Sequence, residues 1–318
     1  MVNLPDYDDL PPAPDGGRLG WHLFGPDDDL GLINLLTAER AAAAAGLVRR
    51  GETFPLDAPL GTFSPPLNSA RGNPRHHVIA QPGGIGFDDV WDNLYPQAGS
   101  QWDSLAHIGY SREIYYNAAT AEDILTKGRN TIGHWAAHGI VGRGVLLDMP
   151  AAMRALGRPY DPGTTAEFDP EVLETAREIA GVAYEPGDIL LLHTGFADWY
   201  TRQPFEVRRA LPRDLKAPGL AHSEDVCRYL WNSHAAAVAS DTFAVEAWPA
   251  DTSPSAAPFG FIHQMLIGSF GMALGELWHL SDLAADCAQT GVYVGMLVSS
   301  PTPAPGGISA APNAVLVK

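Results

Sequence analysis

A chain of 318 residues with 37 acidic and 20 basic side chains has a formal net charge of −17, which excludes the clustered Lys and Arg that nucleic acids and anionic membranes require. Hydrophobic residues make up 46% of it, too many for a disordered chain and enough for a large core. The start MVNLPDYDDLPPAPDGG is acidic and Pro-rich rather than basic and then apolar, and no long apolar run follows, so neither a signal peptide nor a transmembrane helix is predicted. Two isolated cysteines, Cys227 and Cys287, form no disulfide framework or CxxC pair, which fits a reducing, cytoplasmic setting.

In chain order, residues 1–20 read as an extended N-terminal arm and 21–318 as a single domain. A first helix is predicted after Thr37, with Glu39 in its first turn and Gly51 as its stop. A long Gly/Pro-rich loop at 62–86 contains Gly83-Gly84-Ile85-Gly86, which lacks the setting of a nucleotide-binding loop. Apolar runs at 144–148, 188–193 and 235–240 read as buried strands. Helices are expected from Asp169-Pro170 to Gly181 and after Ser223. A second Gly/Pro-rich loop spans 301–313, and the mixed order of strands and helices makes the class α/β.

The chemistry concentrates in Gln97-Ala-Gly-Ser-Gln101-Trp-Asp103-Ser-Leu-Ala-His107. If this segment is extended, Gln97, Gln101, Asp103 and His107 leave one face, because strand side chains alternate. Such a row offers amide oxygens, a carboxylate and an imidazole to a cation while leaving a group free to move a proton. It is also what a half-solvated strand looks like, and Gln is an uncommon ligand for zinc.

The spacing Q-x3-Q-x-D-x3-H resembles the H-x3-H-x-D-x3-H motif of the cyclase family, which includes kynurenine formamidases and isatin hydrolases. It is more similar to a trans-dienelactone hydrolase-like branch with glutamines in place of the two histidines. Phe24-Gly25 to Asn34, Ile140 to Asp148, Gly187 to Gly195 and the region of His263 and Glu276 extend the resemblance over most of residues 20–300. It implies a swivelling β/β/α fold and a metal-dependent hydrolase that opens a small lactone or a cyclic or N-acyl amide. It implies one or two ions, Zn2+ or alternatively Mn2+. Gln97, Gln101 and Asp103 match one metal position, and Asp103, His263 and Glu276 match a second, with Asp103 bridging. His107 matches the general acid/base. Two glutamines for two histidines leave open a single ion at Asp103, His263 and Glu276. A lyase using the same ion for cyclisation or dehydration, and a metal-free binding protein, are the alternatives.

Trp102, His193 and Asp241 are further candidates, for contact with a small-molecule substrate. His193 and Asp241 stand at the ends of apolar strands, where α/β sites gather. His279, three residues after Glu276, is read as lying on a helix. No G-x-S-x-G elbow is present, which disfavours a serine hydrolase. A homo-oligomer is expected.

Overall fold

A computed structural model describes residues 4–318. Residues 1–3 of the expected arm lie outside the described residues. The rest of the arm makes a 3-10 turn at Tyr7–Asp9 and is held down rather than loose. Tyr7 is fully buried edge-on to Phe270, and its backbone N–H donates to the Asn232 side chain.

A second 3-10 turn (Gly31–Leu35) leads to α1 (Ala38–Ala45), β1 (Thr53–Pro55), β2 (Arg75–Ala80), β3 (Phe87–Asp92), β4 (Gln101–Asp103), α2 (Ala121–Lys127) and α3 (Ile132–His138). The middle of the chain forms β5 (Ile140–Asp148), α4 (Met149–Ala155), β6 (Glu167–Phe168), α5 (Pro170–Ala180), β7 (Ile189–His193), α6 (Phe196–Arg202), α7 (Phe205–Ala210), β8 (Gly219–Leu220), α8 (Glu224–Asn232) and β9 (Ala237–Ser240). A π-helical turn at Gln264–Ser269 precedes β10 (Ala273–Glu276), α9 (Ser281–Thr290), β11 (Val294–Ser299), β12 (Ser309–Ala310) and β13 (Ala314–Val317).

Nine strands form one mixed sheet in the order β1-β13-β11-β5-β7-β9-β10-β4-β12. The central β5, β7, β9 and β10 run parallel, and the strands on either side pair antiparallel. Parallel strands covered on both faces read as unbroken apolar runs. Ile189 to Leu192 and Ala237 to Ala239 are fully buried, as such runs require.

Local signals explain the helices. Asp169 accepts from the Val172 N–H, Pro170 occupies the first turn and Gly181 ends α5 in the left-handed conformation, as expected from the sequence. Ser223 caps α8 in the same way, accepting from the Val226 N–H. Helix α1 is shorter than expected: it stops at Ala45, because Gly46 caps it and the chain then turns toward Lys318. The expected loop at 62–86 is partly a hairpin, in which β2 and β3 pair antiparallel and Gly83 and Gly84, both at positive φ, turn the tip. The loop at 301–313 contains β12, which pairs with β4. No described helix is long and apolar enough to cross a membrane.

Candidate metal centre

The site begins with the register of β4 against β10. Gln101 lies opposite Glu276, and Asp103 opposite Leu274. Residues directly opposite share a face, as do residues two apart on one strand, so Gln101, Asp103 and Glu276 converge. The Gln101 Nε2 donates to Glu276 Oε2 at 2.7 Å and to Asp103 Oδ2 at 3.3 Å. His263 stands at the N-terminal end of the π-helical turn and sets its Nε2 3.1 Å from Glu276 Oε1. Asp103, His263 and Glu276 each offer a ligand atom within 4.8 Å of the others, and all three are buried. π-Turns occur often at functional sites, where they re-aim a side chain.

The charges explain what this cluster lacks by itself. Asp103 is wholly buried, and burial together with the Glu276 carboxylate holds it well above its ordinary range. Two carboxylates this close in a dry site need a cation, or one must be protonated. Burial alone would lower His263, but Glu246 and Glu276 push it up to about 10. The buried acceptors Gln101 Oε1 and Asp103 Oδ1 have no hydrogen-bond donor. Such atoms carry their full desolvation cost until a donor or cation meets them. The donor set of two carboxylates, an imidazole and an amide oxygen therefore fits a divalent metal ion.

Toward solvent, His107 Nε2 lies 3.9 Å from Asp103 Oδ2 with a fifth of its side chain exposed. Burial, with His263 and Arg71 nearby, depresses His107 to about 3, so its imidazole is neutral. His107 is not on a strand. Only Gln101–Asp103 is extended; the chain then turns, with the His107 N–H donating to Ser104 O. The expected single row of side chains is thus corrected: a turn, not strand alternation, brings His107 to the site. Gln97 lies in the 3-10 turn Pro96–Ala98, outside the buried group, and its backbone carbonyl accepts from Arg71.

Packing accounts for the other candidate residues. Trp102 is wholly buried between Trp135 and Trp278, with its Nε1–H donating to Ser299, and so packs into the core. Asp241 spends both carboxylate oxygens on the Thr194 and Gly195 N–H groups, tying the end of β7 to the end of β9. His279 is not helical; it precedes α9 and lies 3.2 Å from Asp282. His193 sits at the end of β7, 3.6 Å from Asp148, and is not brought to the metal-binding group.

The structure adds residues that no motif had marked. Arg71, from the loop after β1, supplies positive charge beside Asp103 and His107. Glu246 is fully buried and contacts His263 Nδ1, while His222 Nε2 lies 2.9 Å from its other oxygen. A lone carboxylate inside the apolar Phe243-Ala-Val-Glu246-Ala-Trp248 was the available signal, since a buried charge is the informative exception.

A family model for cyclases matches residues 55–247, more than half of the chain. A crystal structure described as a novel cyclase superposes with a TM-score of 0.82 at 28% identity, covering 99% of this chain and 100% of that one. Isatin hydrolase A from Labrenzia aggregata, bound to benzyl benzoate, has a TM-score of 0.59 at 16% identity over 89% of this chain and 97% of its own. Isatin hydrolase A from Ralstonia solanacearum has a TM-score of 0.58 at 17% identity, covering 89% of this chain and 98% of that one. These last two are similar in fold alone. No curated protein sequence matches.

Proposed function

The chain belongs to the cyclase family, and from that premise we propose that it is a metal-dependent hydrolase opening a small lactone or a cyclic or N-acyl amide. The observation that carries this reading is the buried Asp103, His263 and Glu276 group with its donorless acceptors. The glutamine-bearing trans-dienelactone hydrolase-like branch and the swivelling β/β/α fold are the finer assignments that accompany it.

Asp103, His263 and Glu276 would hold one ion, Zn2+ or Mn2+, with Gln101 at its side. When bound, such an ion polarises a carbonyl and makes water acidic enough to attack near neutral pH. The two carboxylates balance a charge of +2, leaving the centre close to neutral in its dry surroundings. His107, neutral and on the solvent side of Asp103, takes the proton of the attacking water and returns it to the leaving group. Arg71, whose charge reaches both Asp103 and His107, favours the negative charge that develops on an opening ester or amide.

Elemental analysis of purified protein tests the reading, with wild type beside Asp103→Ala and Glu276→Gln. About one equivalent of Zn or Mn in wild type, lost in both variants, is expected. A panel of lactones and amides should then be turned over by wild type, and hardly at all by His107→Ala with its metal retained. Wild type that takes up no metal even after reconstitution overturns the assignment and leaves a metal-free binding protein.

A further inference from the structure

We propose that Glu246 is the positioning residue of the centre: by holding Nδ1 of His263 it fixes the ring so that Nε2 faces Asp103 and Glu276. This rests on the metal-dependent reading above and names a residue outside the ligand group.

The argument starts with burial. Glu246 has no exposed surface, and an unpaired carboxylate there would be strongly destabilising. Its position is instead built around. Oε2 accepts from the Ile262 N–H at 2.7 Å, and Oε1 accepts from the His263 N–H at 3.2 Å and contacts His263 Nδ1. His222 Nε2 lies 2.9 Å from Oε2, close enough to pair though not aligned as a hydrogen bond. One carboxylate thus anchors both the backbone that opens the π-helical turn and the imidazole that projects from it.

The backbone beneath Glu246 is equally constrained. Val245 lies at φ 56°, which a β-branched residue adopts only when its surroundings compel it. A Cβ on Gly219 would fall 2.2 Å from the carbonyl carbon of Glu246, so the close approach of β8 depends on glycine. The neighbouring Leu220 accepts the Ala247 N–H and donates to Val245 O, clamping residue 246 from both sides.

The consequence is tautomeric. A carboxylate against Nδ1 requires a proton there, which leaves the Nε2 lone pair for a cation. Metal-bound histidines usually donate their second ring N–H to such a partner, and removing it typically weakens metal affinity by 10–100-fold. Phe261, stacked on the His263 ring with centroids 4.7 Å apart, restrains its plane but offers no partner that selects a tautomer.

The experiment is a zinc titration of metal-stripped protein against a chromophoric chelator, with wild type, Glu246→Ala and Glu246→Gln, each alongside its metal-free melting curve. Glu246→Ala is expected to weaken zinc about 10–100-fold, and Glu246→Gln, which can still accept from Nδ1, by less. Wild-type zinc affinity in a folded Glu246→Ala protein, whatever its melting temperature, overturns the positioning role while leaving the metal centre standing. No zinc binding by wild type overturns both. If Glu246→Ala does not fold, histidine nitrogen NMR of zinc-loaded wild type decides: a proton on Nδ1 of His263 supports the proposal, and one on Nε2 sinks it.

Discussion

Gln101 faces two carboxylates with its amide nitrogen and leaves its oxygen without a donor. In the absence of a cation this orientation is the only sensible one, since the oxygen would otherwise meet two negative groups. A bound cation reverses the preference and makes the oxygen a ligand. Gln101 is therefore expected to matter in both states: Gln101→Ala should destabilise metal-free protein by about 1–3 kcal/mol, and more once zinc is added, because a ligand to the ion is then lost as well. Urea denaturation of both forms measures this; an equal loss in both would show that Gln101 does not respond to the ion. At this scale the sequence was informative in an uneven way. Gln101, Asp103, His263 and Glu276 were legible because their spacing resembles a family motif. His222 and Arg71 were not, and Glu246 was marked only as a lone carboxylate in an apolar stretch, because what joins these residues to the centre is the folded path of three separate segments, which leaves no periodicity in the chain.

Among the elements, the sequence located the strands with unbroken apolar runs, β5, β7 and β9, and the helices with strong terminal signals. Helix α5 carries an Asp cap, a Pro in its first turn and a Gly stop, and it forms where those residues place it. The strand row from Gln97 to His107 was overextended, because alternation of polar residues does not reveal where a strand ends. The β2–β3 hairpin was hidden for a related reason: its strands are exposed along their whole length, so no buried face stamps a pattern on them. Strand ends also carry charge. Asp148 closes β5 and His193 closes β7, 3.6 Å apart and largely buried. Burial opposes both charges, yet the pair holds Asp148 below its ordinary value, while Asp148 and Asp241 hold His193 above its own. The depressed acid contributes stability above its unfolded pKa, near ~4, and loses it as pH falls further; the raised base contributes fully below its unfolded pKa, near ~6.5, and loses it as pH rises through the folded value. The pair therefore stabilises most between about pH 4 and 6.5. His193→Gln should cost on the order of 1 kcal/mol at pH 5.5 and less at pH 8.5. Denaturation midpoints at the two pH values check this, and an equal cost at both would show that the pair is not what His193 contributes.

Over the whole molecule, the centre joins parts of the chain that are distant in sequence. Asp103 comes from β4, His263 from the π-helical turn and Glu276 from β10, so the ligand group exists only after these segments have packed. An ion that binds the folded chain and not the unfolded one must then stabilise the fold by mass action, by about 2.7 kcal/mol at a free concentration one hundred times its Kd. For a chain of this size that corresponds to a rise of several degrees in melting temperature. The rise is expected to grow from pH 6 to pH 8. Burial and Glu276 hold Asp103 well above its ordinary range, and the neighbouring carboxylates push His263 up to about 10, so an ion competes with protons for these groups and gains as protons become scarcer. Scanning calorimetry with zinc and with excess chelator at the two pH values measures both effects. Asp103→Ala serves as the control, because it retains the acidic surface behind the net charge near −17 but lacks the central ligand. A zinc-induced rise as large in that variant as in wild type would place the stabilising ions on the acidic surface; a rise confined to wild type would place them where β4, β10 and the π-helical turn meet.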